Sequence, residues 1–204
     1  VTPSSSASDV DTEPDDSTRS NMTAAEKQKY SASEGISDGL VGSSGAGGFF
    51  GLRATGSHVG YVVDISGSMS GERLDRAKKE LRKSINELVG TQKFSVFFFS
   101  DNVIFDDKFV DKKPSESNRR KLEIWLNRIS TMGGTNPWPA MEKGFAEKCD
   151  EIFLLSDGIF PQETSDLIRT RNKLETRINT ISLNGSSLSL KKIARESGGQ
   201  YIQP

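Results

Sequence analysis

Cysteine and histidine are nearly absent from this chain, with one of each, Cys149 and His58, in 204 residues. A single cysteine excludes an intrachain disulfide and any cysteine-built zinc site. A single histidine at the entry to an apolar run is expected to be a packed or surface residue rather than a ligand. No apolar run reaches the length of a membrane span, and no secretory leader is visible at the start. Because the chain opens at Val1 and not at Met, it is expected to be a processed or excised fragment. An upstream signal or anchor is left open, with extracytoplasmic, membrane-tethered and cytoplasmic placements all compatible. A basic excess is missing as well: 27 Lys plus Arg against 28 Asp plus Glu give a net charge of -1. That balance removes the usual electrostatic basis for nucleic-acid binding. The short runs Lys78-Lys79, Lys112-Lys113 and Arg119-Arg120-Lys121 fall on or beside polar helical faces and read as solvated surface.

A hydrophobic content of 33% can bury one good core, yet the mean hydropathy of -0.52 marks part of the chain as unusually polar. That part is the N-terminus. Residues 1–48 hold Ser, Thr, acidic residues and Gly in place of large apolar side chains, too few to offset the entropy of ordering. The first half is acidic (Asp9, Asp11, Glu13, Asp15, Asp16) and the second glycine-rich (Gly35, Gly39, Gly42, Gly45, Gly47, Gly48), the composition of a flexible tether. The expected organisation is a disordered tail and linker over 1–48 and a folded domain over 49–204, with Phe49 and Phe50 as an apolar peg where the domain begins.

Within the domain, strand and helix signals alternate. Val59 to Val63 is an apolar run of strand length. Glu72 to Val89 places Leu74, Ala77, Leu81, Ile85 and Leu88 at helical spacing. Phe94 to Phe99 reads as a strand, Val103 to Phe109 as an edge strand joined to it through Ser100-Asp101-Asn102, and Ser115 to Ile129 as a helix. Asn136-Pro137 marks a helix start with Asn as N-cap and Pro at the first helical position. Strands follow at Glu151–Ser156, Arg177–Leu183 and Gln200–Ile202, and helices at Gln162–Lys173 and Leu188–Ser197. Such alternation predicts a doubly wound, mostly parallel, Rossmann-like sheet with one antiparallel edge strand and helices on both faces. Trp138 is expected to pack its helix, with an anchoring role toward a partner as the alternative, and the loop at Ser186 is expected to lie away from any site.

The chemistry sits where the first strand ends. Asp64-Ile65-Ser66-Gly67-Ser68 places a carboxylate and two hydroxyls at alternate positions, at the carboxyl edge where open α/β sheets bind ligands. Hard oxygen donors favour Mg²⁺, Mn²⁺ or Ca²⁺ over zinc or copper. The plain alternative is that Ser66, Ser68 or Ser70 caps the following helix while Asp64 satisfies nearby backbone. Two further segments favour the metal: Gly133-Gly134-Thr135-Asn136 follows a helical stretch, and Leu154-Leu155-Ser156-Asp157-Gly158 ends an apolar run with an acid.

With these three segments in this order, the chain over roughly 57–204 resembles the von Willebrand factor type A family and its metal-ion-dependent adhesion site. The resemblance implies a complete site in which Asp64, Ser66, Ser68, Thr135 and Asp157 hold the metal. It further implies that the three hydroxyls touch Mg²⁺ (or Mn²⁺ or Ca²⁺) directly, that the two carboxylates act through water, and that a partner protein supplies an Asp or Glu carboxylate. The look is that of bacterial domains tethered by a low-complexity linker. The integrin branch carries further acidic residues after Asp-x-Ser-x-Ser, whereas Met69-Ser70-Gly71-Glu72 has only Glu72, so a second adjacent metal site is not expected. A monomer that binds protein, without nucleic acid or a membrane span of its own, is the resulting expectation.

The rival class is a metal-dependent hydrolase or phosphatase-like enzyme using the same acidic cleft. A dehalogenase-like phosphatase has a second Asp where Ser66 stands. A serine hydrolase has Gly-x-Ser-x-Gly, but Met69 is central in Gly67-Ser68-Met69-Ser70-Gly71, and the single histidine precedes Ser66 and Ser68 in the chain. No phosphate-binding glycine loop is present. Binding is therefore expected over catalysis. Limited proteolysis tests the organisation: a resistant core should begin near Phe49, and one that still begins near Val1 contradicts a tail over 1–48.

Overall fold

The computed structural model describes residues 48–157 and 160–204, so the tail expected over 1–48 lies, except for Gly48, outside the described residues. Parallel strands β1 (His58–Asp64), β2 (Lys93–Phe99), β4 (Glu151–Ser156), β5 (Arg177–Ser182) and β6 (Tyr201–Ile202) form one sheet, with β3 (Val103–Ile104) antiparallel on the β2 edge. The order is β3-β2-β1-β4-β5-β6. From β1 the chain winds outward through β2 and β3, then crosses to β4 and continues the other way. The neighbours β1 and β4 therefore flank a topological switch point, whose carboxyl edge is open to a ligand.

The period of two along each strand divides the core. Val59, Tyr61 and Val63 of β1 meet Leu74, Ala77, Leu81 and Ile85 of α1 (Glu72–Glu87) and Leu122 and Leu126 of α2 (Glu116–Leu126). On the opposite face, Val62, Phe97 and Phe99 meet Ala140 and Met141 of α3 (Trp138–Ala146), Ile168 of α4 (Gln162–Arg171) and Leu190 and Ile193 of α5 (Leu188–Glu196). Covered on both sides, the central strands read as unbroken apolar runs rather than alternating ones. Phe49 is buried, edge-on to Tyr61 at 5.4 Å and to Phe153 at 5.7 Å.

Several expected elements are shorter by one to four residues, and two further shifts concern the edge strand and the third helix. The edge strand expected to reach Phe109 pairs only at Val103–Ile104, because Asp106 accepts from the Lys108 backbone N–H at 2.9 Å and starts a 3-10 turn over Asp107–Phe109. The third helix begins at Trp138 with Pro137 at its N-cap, one residue later than expected, while the Asn136 side chain still accepts from the Trp138 N–H at 3.2 Å. The Trp138 ring packs into the second core with Phe145, as the packing expectation had it.

At the amino edge a buried carboxylate holds the chain's entry into β1. Glu151 accepts from the Thr55 N–H at 2.7 Å, the Gly56 N–H at 2.6 Å and Asn179 Nδ2 at 2.8 Å, and pairs with Arg177 at 3.1 Å. Removing it takes the acceptor from two backbone donors and the buried Asn179 amide, and the ion-pair partner from Arg177. Glu151→Ala is therefore expected to cost about 2–4 kcal/mol, a fall in Tm of roughly 5–15 °C for a domain of this size. Thermal denaturation measures it, and an unchanged Tm means that the clamp carries no stability.

Candidate metal centre

Asp64 is the last residue of β1, and packing on both faces of the sheet leaves it 0% exposed. A carboxylate taken out of water must find donors in place. Its Oδ1 accepts from the Ser66 N–H at 2.8 Å, and its Oδ2 accepts from the Ser156 hydroxyl at 2.7 Å. Ser156 closes β4, so the second bond spans the switch point. Burial nevertheless raises the Asp64 pKa above the ordinary carboxylate value; the hydrogen bonds from Ser66 and Ser156 pull it back down, while the charge of Asp157 pushes it up again.

The chain leaves β1 through Ile65, whose N–H bonds Phe99 O at 2.8 Å, and makes a 3-10 turn over Gly67–Met69. The helix-capping alternative for the serines is not what the fold uses. Gly71 occupies the N-cap of α1 without a side-chain bond, and Ser66, at the head of the 3-10 turn, makes no capping bond either. The Ser66 and Ser68 hydroxyls lie 3.0 Å from each other instead. Ser66 is buried and Ser68 exposed, so the pair runs from the buried carboxylate to solvent.

Thr135 arrives through backbone contacts. Gly133 O accepts from the Gly67 N–H at 3.2 Å, and the Met132 N–H bonds Ile65 O at 2.8 Å, which lays the 132–135 loop along the Asp-x-Ser-x-Ser turn. Thr135 is half-buried. Asp157 follows β4 directly and is buried at 3% exposure, near enough for its charge to act on Asp64. Asp64, Ser66 and Ser68 are thus linked by side-chain and backbone hydrogen bonds, and Thr135 and Asp157 are carried to the same edge by their loops. Among the described residues, no three His, Cys, Asp or Glu side chains gather as a metal cluster. The donor set at this edge is two carboxylates and three hydroxyls, all hard oxygens, and it fits a small divalent cation.

Three features escape a reading of the sequence. Ser156 serves as the donor to Asp64. Asp101, in what reads as a plain strand-connecting turn, reaches the Gly134 N–H at 3.0 Å. The loop after β5, expected to lie apart, stands on the same edge: Arg73 donates to Ser68 O at 2.6 Å and to Asn184 Oδ1 at 3.3 Å. His58, in contrast, sits at the other end of β1, six residues or roughly 20 Å from Asp64, with Nε2 2.8 Å from Ser95 Oγ. It is out of reach of either serine as a base.

A sequence profile described as the von Willebrand factor type A domain matches residues 57–202. A von Willebrand factor A domain-containing protein of Dictyostelium discoideum is 27% identical over 135 residues, covering 62% of this chain and 14% of that protein. Another from the same organism is 30% identical over 109 residues, covering 48% and 11% respectively. The chain spans only 11% to 16% of the length of these curated relatives. Among solved structures, a von Willebrand factor type A protein from Catenulispora acidiphila superposes with a TM-score of 0.65 at 17% identity, over 74% of this chain and 39% of that one. The PilB minor pilin from Streptococcus sanguinis gives 0.56 at 15%, over 75% and 58%. The TFIIH p34 N-terminal domain gives 0.55 at 11%, over 72% and 90%. At such identities the superpositions speak to the fold alone.

The burial of Asp64 has a pH signature. With its folded pKa raised above the unfolded value, the group contributes stability that is present below the unfolded pKa and lost as pH rises through the folded one. At neutral pH and without a cation, ionised Asp64 therefore weighs against the fold. Asp64→Asn, which keeps the shape, should melt above the wild type in EDTA at pH 7. The gap should close toward pH 4. Melts of the two proteins that coincide at pH 7 contradict it.

Proposed function

Because the chain belongs to the von Willebrand factor type A family, we propose that it is a protein-interaction domain that captures an Asp or Glu carboxylate of another protein through a divalent cation. The cation is Mg²⁺ in this reading, with Mn²⁺ and Ca²⁺ as substitutes. Ser66, Ser68 and Thr135 would hold it directly, while Asp64 and Asp157 would accept from its waters and from the serine hydroxyls. A cation held by neutral ligands is poorly neutralised and keeps its affinity for one more carboxylate. In the same reading residues 1–48 serve as a tether and 49–204 as the binding domain, which acts as a monomer.

The observation that carries this reading is the hydroxyl pair of Ser66 and Ser68, 3.0 Å apart beside a fully buried carboxylate and committed to no helix cap. Among the described residues, the hydrogen-bond donors to Asp64 are the neutral Ser66 and Ser156, and a cation in front of it would offset the charge that burial disfavours. A serine-hydrolase reading lacks a base at this edge, since His58 stands at the other end of β1.

Mg²⁺ at a hundred times its dissociation constant should stabilise the domain by about 2.7 kcal/mol, read as a rise in Tm between EDTA and Mg²⁺. Thr135→Ala removes one hydroxyl without altering charge. It should keep its fold and lose most of the Mg²⁺ response, while Ser117→Ala, on exposed surface near the far end of α2, should match the wild type. A protein captured in a pull-down with Mg²⁺ should be released by EDTA and missed by Thr135→Ala. Capture that survives both overturns the reading.

A further inference from the structure

We infer that Asp101 is the positioning residue that sets the Thr135 hydroxyl for metal, an inference that rests on the reading of the site above. The turn between β2 and β3 brackets Thr135 from both sides. Asp101 Oδ2 accepts from the N–H of Gly134, the residue before it, at 3.0 Å. Ser100 O accepts from the N–H of Asn136, the residue after it, at 2.6 Å. Ser100 is buried and the turn is closed by its own N–H to Asn102 O at 3.1 Å, so the bracket stands at the end of β2, a strand fixed in the sheet. The 135–136 peptide is held directly and the 133–134 peptide one step upstream, which narrows the backbone freedom of Thr135 between them.

The two glycines before Thr135 are shaped to this grip. A Cβ on Gly133 would lie 2.3 Å from Asp101 Oδ2, and one on Gly134 would lie 2.5 Å from Asp101 Oδ1. Gly133 also has φ of +61°, where side chains are strained in any case. Gly134 has no such strain, and the Asp101 carboxylate is what closes the space beside it. The Gly-Gly pair is therefore the seat of the Asp101 carboxylate as much as a turn. Groups that orient a metal ligand without touching the metal commonly change affinity by about ten- to a hundredfold.

Asp101 is exposed, so its replacement leaves the core intact. Asp101→Ala should keep the wild-type far-ultraviolet circular dichroism and bind Mg²⁺ on the order of tenfold more weakly by calorimetric titration. In EDTA, NMR should show faster amide exchange at Gly134 in this variant. Asp101→Asn keeps an acceptor oxygen and should restore both readouts. Gly134→Ala should weaken Mg²⁺ binding as Asp101→Ala does, and the double variant should bind no more weakly than either one. Wild-type affinity and Gly134 exchange in Asp101→Ala overturn the inference while the metal site stands. So does a loss in Asp101→Asn as large as that in Asp101→Ala, which would assign the effect to charge. A wild-type protein that gives no Mg²⁺ heat overturns the reading of the site itself, and Asp101's part in it.

Discussion

A carboxylate that cannot reach water dictates the arrangement of this edge of the protein. Asp64 ends the central strand under helices on both faces, and the chain must supply donors to it from whatever lies within reach. It uses its own turn, through the Ser66 N–H, and the neighbouring strand, through the Ser156 hydroxyl. Each donor fixes something else: the first shapes the turn that carries Ser66 and Ser68, and the second ties β1 to β4 where the chain reverses its winding. Asp157 then stands where it does because β1 and β4 end side by side, while the loop with Thr135 lies between the turn after β1 and the end of β2.

The sheet has a second buried acid, and the two are satisfied differently. Glu151, at the amino edge, meets an arginine, an amide and two backbone donors, a set that balances its charge. Asp64 is hydrogen-bonded by a hydroxyl and a backbone N–H, and its pKa stands raised. An acid balanced by a cation of the chain suits a structural clamp. One hydrogen-bonded by neutral donors beside a second acid suits a place that a cation from solution can occupy, as the proposed function requires.

Much of this was legible in the sequence, for physical reasons that differ by element. Strands covered on both faces show as unbroken apolar runs, so β1, β2 and β4 stand out, and the helical spacing of Leu74, Ala77, Leu81 and Ile85 follows from one buried face. The placement of Asp64, Ser66 and Ser68 at a strand end was readable because the three belong to one short segment. Asp101 was not, since its partner is 33 residues away and nothing local separates a gripping aspartate from a turn aspartate. The contact of Asn184 with Arg73 was not legible for the same reason, as only the folded sheet brings the loop after β5 within reach of α1. The short β3 turned on a rivalry between side chain and backbone at Asp106, which strand propensity does not register.

The route by which the chain enters the domain has a mechanical consequence. Residues 55–56 are clamped at the amino edge by Glu151, and β1 then runs straight to Asp64 at the carboxyl edge. Tension applied between that clamp and the carboxyl edge is directed along β1. The strand is paired on both sides, from His58 to Asp64 with β2 and from Val59 to Val63 with β4. A pull along it loads those ladder bonds in shear, where many must yield together, instead of peeling them one at a time. The clamped entry and the central strand thus make a stiff line of force through the middle of the sheet.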